Sequence, residues 1–88
     1  MLWICRLSKQ AAKEFRDFPQ ARQRQLARAI DEMERDPLAG DVRPIKSGLF
    51  KGILRKRVGP YRIIFTVNES QREIRIAAIL TRSEHTYQ

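Results

Sequence analysis

Acidic residues are missing from one whole stretch of this chain: between Val42 and Asn68 there is none. Cysteine and histidine occur once each, as Cys5 and His85. A lone cysteine excludes an internal disulfide, and its place in an apolar run describes an inert core thiol. Nothing argues for an oxidising compartment. With one histidine and one cysteine far apart, there is no metal-ligand cluster. The glycine patterns of phosphate-cradling loops and dinucleotide folds are also missing, so neither a metal nor a cofactor is expected. Ser83, Glu84 and His85 are sequence neighbours, the wrong geometry for a Ser-His-acid triad. The longest apolar run, "IAAIL", falls far short of the ~20 residues of a membrane span. The start, "MLWICRLSK", lacks the basic and apolar regions of a signal peptide. The expectation is a soluble cytoplasmic protein of one domain, residues 1–88. A chain this short buries only roughly 60% of its unfolded surface, so a partner covering part of it would add stability.

What is present is positive charge, unevenly placed. The net charge is +8. Residues 1–41 carry eight Lys/Arg against seven Asp/Glu, and residues 69–88 carry three against three. Residues 42–68 hold seven cations and no acid: Arg43, Lys46, Lys51, Arg55, Lys56, Arg57 and Arg62. A merely solvated face intersperses both signs. A one-sign segment is the footprint of a polyanion-binding surface.

The hydrophobic pattern predicts β-α-α-β-β-β. In "WICRLS", Trp3, Cys5 and Leu7 alternate as in a short strand. Ser8 is a helix N-cap, and Ala11, Phe15 and Phe18 mark one helical face up to Pro19. A second helix, from about Gln20 to Arg35, carries Leu26, Ile30 and Met33 and closes before Asp36-Pro37. "LAGDVRPIKSG" has the composition of a loop. Strand-like runs follow at about 50–58, 61–68 and 73–81, separated by "GP" and "NESQ". On one, Tyr61, Ile63, Phe65 and Val67 share a face; on the next, Ile74, Ile76, Ala78 and Leu80 do. The expected fold class is α+β, a helix hairpin packed on one face of a four-stranded, mainly antiparallel sheet.

The same alternation predicts that Arg55, Arg57 and Arg62 point away from the helices and converge on the open face. Lys56 falls on the core side, so it must snorkel to an edge or be re-aimed by a bulge near Gly59. Arginine suits phosphate because its planar fork gives parallel charge-assisted hydrogen bonds. It does not move protons easily. Proton work falls to the tail "TRSEHTYQ", where His85 titrates near neutrality and Tyr87 can stack on a base or, beside cations, lose its proton.

The order of elements, with "RKRVGPYRIIF" in the middle and "ILTRSEHTY" at the end, resembles the RelE/ParE superfamily of toxins from type II toxin–antitoxin systems. The resemblance covers essentially the whole chain. It implies a RelE-like microbial RNase fold, an acidic antitoxin as partner, and metal-independent endoribonuclease activity on mRNA in the ribosomal A site, by attack of the 2′-hydroxyl. It implies Arg62 as the central phosphate-binding arginine, Arg82 as transition-state stabiliser or proton donor, and Tyr87 as the base-stacking residue. Arg55 falls where such toxins often have a catalytic lysine. A second lysine of theirs aligns with Ile53, which leaves His85 as the candidate base, with Arg55, Lys56, Arg57, Lys51 and Lys46 as phosphate-binding cations. The alternative is a ParE-like inhibitor of DNA gyrase without nuclease activity.

Overall fold

The computed structural model describes residues 2–45 and 53–81. Strand β1 (Ile4–Leu7) is followed by helices α1 (Lys9–Asp17) and α2 (Gln20–Arg35), then β2 (Asp41–Pro44), β3 (Leu54–Val58), β4 (Tyr61–Asn68) and β5 (Glu73–Thr81). The strands form one sheet in the order β1-β5-β4-β3-β2, with β1 parallel to β5 and the other neighbours antiparallel. This corrects the expected four strands. Asp41–Pro44, read as part of a loop because of Gly40 and Pro44, pairs with β3 as an edge strand, the sheet position where proline is tolerated.

Local chemistry sets the element ends. The Ser8 hydroxyl accepts the Ala11 amide at 3.0 Å and so caps α1. Only Phe18 and Pro19 separate the helices, and Asp36 ends α2 in extended backbone before Pro37. Both helices bury their apolar sides on one face of the sheet. There Ala11, Leu26, Ala29 and Met33 meet Tyr61, Ile63, Phe65, Ile74, Ile76 and Ile79. The Phe18 and Tyr61 rings lie 4.5 Å apart.

Strand β5 does not keep one phase. Phe65 pairs with Ile76, but Ile64 pairs with Ala78, so Ala77 is an extra residue. The bulge moves Ile79, rather than Ala78 and Leu80, onto the helix side, where it is 2% exposed. Helix α1 closes the strand edge there: the Ser8 hydroxyl donates to the Ala77 carbonyl and Glu14 accepts the Ile79 amide, both at 2.8 Å. No shift of register is seen at Gly59. That glycine has φ +54 at the first position of a two-residue hairpin turn, as a type II′ turn requires.

Lys56 neither snorkels nor turns over. It is 2% exposed on the helix side, where its ammonium donates to the Glu32 carboxylate and, at 2.8 Å, to the Ala39 carbonyl. Gly40, at φ +82, lets the chain close over it: a Cβ there would lie 3.1 Å from Nζ. Its assignment to phosphate binding is therefore corrected. The sheet separates it from the arginines of its own strand.

Two outcomes follow. Lys56→Met should leave urea stability within about 1 kcal/mol of wild type, because a similar-sized apolar group fills the site and half-exposed Glu32 stays hydrated. Glu32→Gln should cost more, roughly 1–3 kcal/mol, by leaving a buried ammonium without its counter-charge. Cys5 supplies the second. Burial, with Glu34 and Asp31 nearby, pushes its thiol up to about 11. Folding thus favours the neutral thiol, and stability should fall as pH rises from about 9 to 11. Cys5→Ser should flatten that limb of a pH-dependent melting series.

Candidate functional site

The face of the sheet away from the helices carries the arginines, and strand pairing decides how close they come. Arg57 pairs with Arg62 and Arg55 pairs with Ile64 across β3 and β4. Arg43 pairs with Arg55 and Asp41 with Arg57 across β2 and β3. Directly opposed residues have Cβ atoms roughly 5 Å apart, so four guanidiniums share a patch two residues long and three strands wide. Like charges so opposed are destabilising. Among the described residues Asp41 offsets them, its carboxylate 3.6 Å from Arg43 Nε and 3.7 Å from Arg57 Nε.

The patch has an apolar floor. Ile64, between Arg55 and Ala78 in the ladder, is 4% exposed. Beside it, Arg55 Nη1 is buried and has no hydrogen-bond partner among the described residues. Burial first, then Arg57, Arg62 and Arg43, hold the Arg55 pKa below its ordinary value against the opposing pull of Asp41. A buried donor on a destabilised cation, in a ring of further cations, is suited to an anionic oxygen. Preorganised donors of this kind also act on charge that builds up during a reaction.

The expectation that Arg55, Arg57 and Arg62 converge is met in the geometry. Arg43 joins them because β2 is a strand. Asp41 was missed because it stands one residue before the acid-free segment. Its signal was there to read: in strand phase, Asp41 and Arg43 alternate with Val42. Lys46, Lys51, Arg82, His85 and Tyr87 lie outside the described residues.

The crowding makes a measurable forecast. Arg55→Met removes a half-buried cation and extends the apolar floor. At low salt it should raise the thermal midpoint by roughly 4–8 °C, equivalent to about 1 kcal/mol for a chain of this size. The gain should shrink at high salt, where repulsion is screened. An unchanged midpoint at low salt would show that the patch is not strained.

Comparison with known proteins identifies the fold and the family. No curated protein matches the chain. Among solved structures, it superposes on RelE of the archaeal RelE–RelB complex from Pyrococcus horikoshii with a TM-score of 0.81 and 27% identity, over 96% of this chain and 99% of that one. It matches a chain of the Mycobacterium tuberculosis toxin–antitoxin complex RelBE2 with a TM-score of 0.81 and 18% identity, over 93% and 100%. The isolated Escherichia coli RelE toxin gives a TM-score of 0.76 and 13% identity, over 96% and 88%; at these last two identities the likeness shows the fold alone. The family model for the ParE toxin of the type II toxin–antitoxin system parDE matches residues 5–86, and the chain belongs to that family, within the RelE/ParE superfamily of toxins.

Proposed function

We propose that this toxin is an endoribonuclease that cuts mRNA, engaged in the ribosomal A site, with the open arginine face holding the scissile phosphate. The carrying observation is the group Arg43, Arg55, Arg57 and Arg62 with the buried Nη1 of Arg55 at its centre. The RNA 2′-oxygen attacks the adjacent phosphorus, a 2′-O–P bond forms and the P–O5′ bond breaks. The products are a 2′,3′-cyclic phosphate and a 5′-hydroxyl. Arg62 neutralises charge that gathers on the phosphoryl oxygens in the transition state, with Arg82 as a second stabiliser or the donor to the leaving oxygen. His85 takes the 2′-hydroxyl proton, and Tyr87 stacks on a base. These roles require no metal. The cellular partner is an acidic antitoxin, as the RelB-bound neighbours suggest, and the setting is the cytoplasm. The whole chain acts as one domain.

One observation favours a second reading. The matching family model is that of ParE, which fits a gyrase inhibitor whose arginine face binds without cutting. Single-turnover cleavage of a ribosome-bound message separates the two. Arg62→Gln should slow cleavage by roughly 10²–10³, the usual loss for one such donor, while weakening RNA binding far less. An intact message together with stalled DNA supercoiling would replace the nuclease by the gyrase inhibitor.

A further inference from the structure

A second cationic cluster lies on the same sheet face, at its other edge. Arg6 and Arg75 are register partners on β1 and β5. Glu73, two residues before Arg75 and 7% exposed, accepts the Arg6 Nε–H on one carboxylate oxygen at 2.6 Å and the Arg75 Nε–H on the other at 2.7 Å. The carboxylate thus clamps both guanidiniums through Nε. Their side chains stay 64% and 69% exposed, and the terminal amino groups are not used by the clamp. Arg6, Leu7, Ser8, Glu73 and Arg75 line a cavity of about 550 Å³. Ser8 also caps α1, whose first turn has no acidic residue, so the positive end of the helix adds to the field. The hydrogen bonds from Arg75 and Arg6 hold the Glu73 carboxyl below its ordinary pKa, so the clamp keeps its charge at lower pH than a free carboxylate would.

We infer that Arg6 and Arg75, clamped by Glu73, form a second phosphate cradle that grips the RNA strand away from the cleaved bond. Arg75 pairs with Thr66, which shares a face of β4 with Ile64 and Arg62. Four residues along β4 and one strand across separate the two clusters, roughly 14 Å. One phosphate cannot touch both, so the ligand is a polynucleotide backbone crossing the sheet. The Nε clamp fixes each fork before binding, which lowers the ordering cost of the contact. The inference rests on the RNA reading above, but its test reads binding rather than cleavage.

The probe is a fluorescent single-stranded 12-nucleotide RNA, titrated with the full chain across a salt series. Each phosphate contact on a single strand contributes about 0.7 to the slope of log affinity against log salt. Arg6→Ala/Arg75→Ala should lower the slope by about 1.4 and Arg57→Ala by about 0.7. The triple change Arg6→Ala/Glu73→Ala/Arg75→Ala, which leaves no buried carboxylate unpaired, should match the double, with circular dichroism confirming that each variant folds. If Arg57→Ala lowers the slope while both cluster variants keep the wild-type value, the second cradle is overturned and the arginine patch stands. If none of the variants changes it, the RNA reading falls and the cradle with it. Loss of polyglutamate binding with an unchanged RNA slope would assign the pair to an acidic protein surface, and also overturns the inference.

Discussion

Everything on the arginine-bearing face depends on the apolar side chains on its reverse. Ile63, Phe65, Ile74, Ile76 and Ile79 are all 2% exposed or less. Burying residues of this size is worth about 1.5–3 kcal/mol each. That gross gain holds β4 and β5 together while Arg57 faces Arg62 and Arg55 sits beside both. Without it, neighbouring cations would favour a looser arrangement. The two faces also share one register, because a slip of one residue would carry the isoleucines to the open side and the arginines into the core.

Lys56 shows how strictly that register is kept. It stands between two arginines in sequence, yet its place in the strand puts it beneath α2. The fold does not bend the strand to free it; it supplies Glu32 and the Ala39 carbonyl instead. The same contacts tie α2 and the loop before β2 to β3 and so help to set β2 in place. Asp41 and Arg43, which complete the patch, are therefore held partly by a lysine on the opposite side of the sheet.

Much of this architecture was legible in the sequence, and the exceptions have physical reasons. Helix α2 was read correctly from Gln20 to Arg35 because its apolar stripe and Asp-Pro stop are both local signals. The bounds of β4 and β5 were also local, set by Gly-Pro and by the turn residues before Glu73. The bulge at Ala77 was not legible, since one extra alanine in "IRIAAIL" leaves no mark in composition. Strand β2 was hidden by Gly40 and Pro44, although proline is at home on a sheet edge. For Lys56 the alternation rule was right and the expectation of exposure was wrong; its counter-charge lies 24 residues away. The grouping of Arg55, Arg57 and Arg62 was legible because strand phase alone brings them together. The clamp of Arg6 and Arg75 was not, because it depends on β1 joining β5 in parallel, which no local pattern announces.

The edges of the sheet carry a consequence of their own. Both edge strands, β1 and β2, are only four residues long. Proline ends β2 and has no amide to offer, while charged Asp41 and Arg43 stand beside it. Past Leu7, Ser8 and Glu14 occupy the groups of β5 that β1 no longer reaches. Short edge strands, an edge proline and charged edge residues are features that natural sheets use against edge-to-edge aggregation. The same perimeter surrounds three strands rich in isoleucine or arginine, so what guards the sheet against a second copy is the brevity and chemistry of its two outer strands, not the composition of the inner ones.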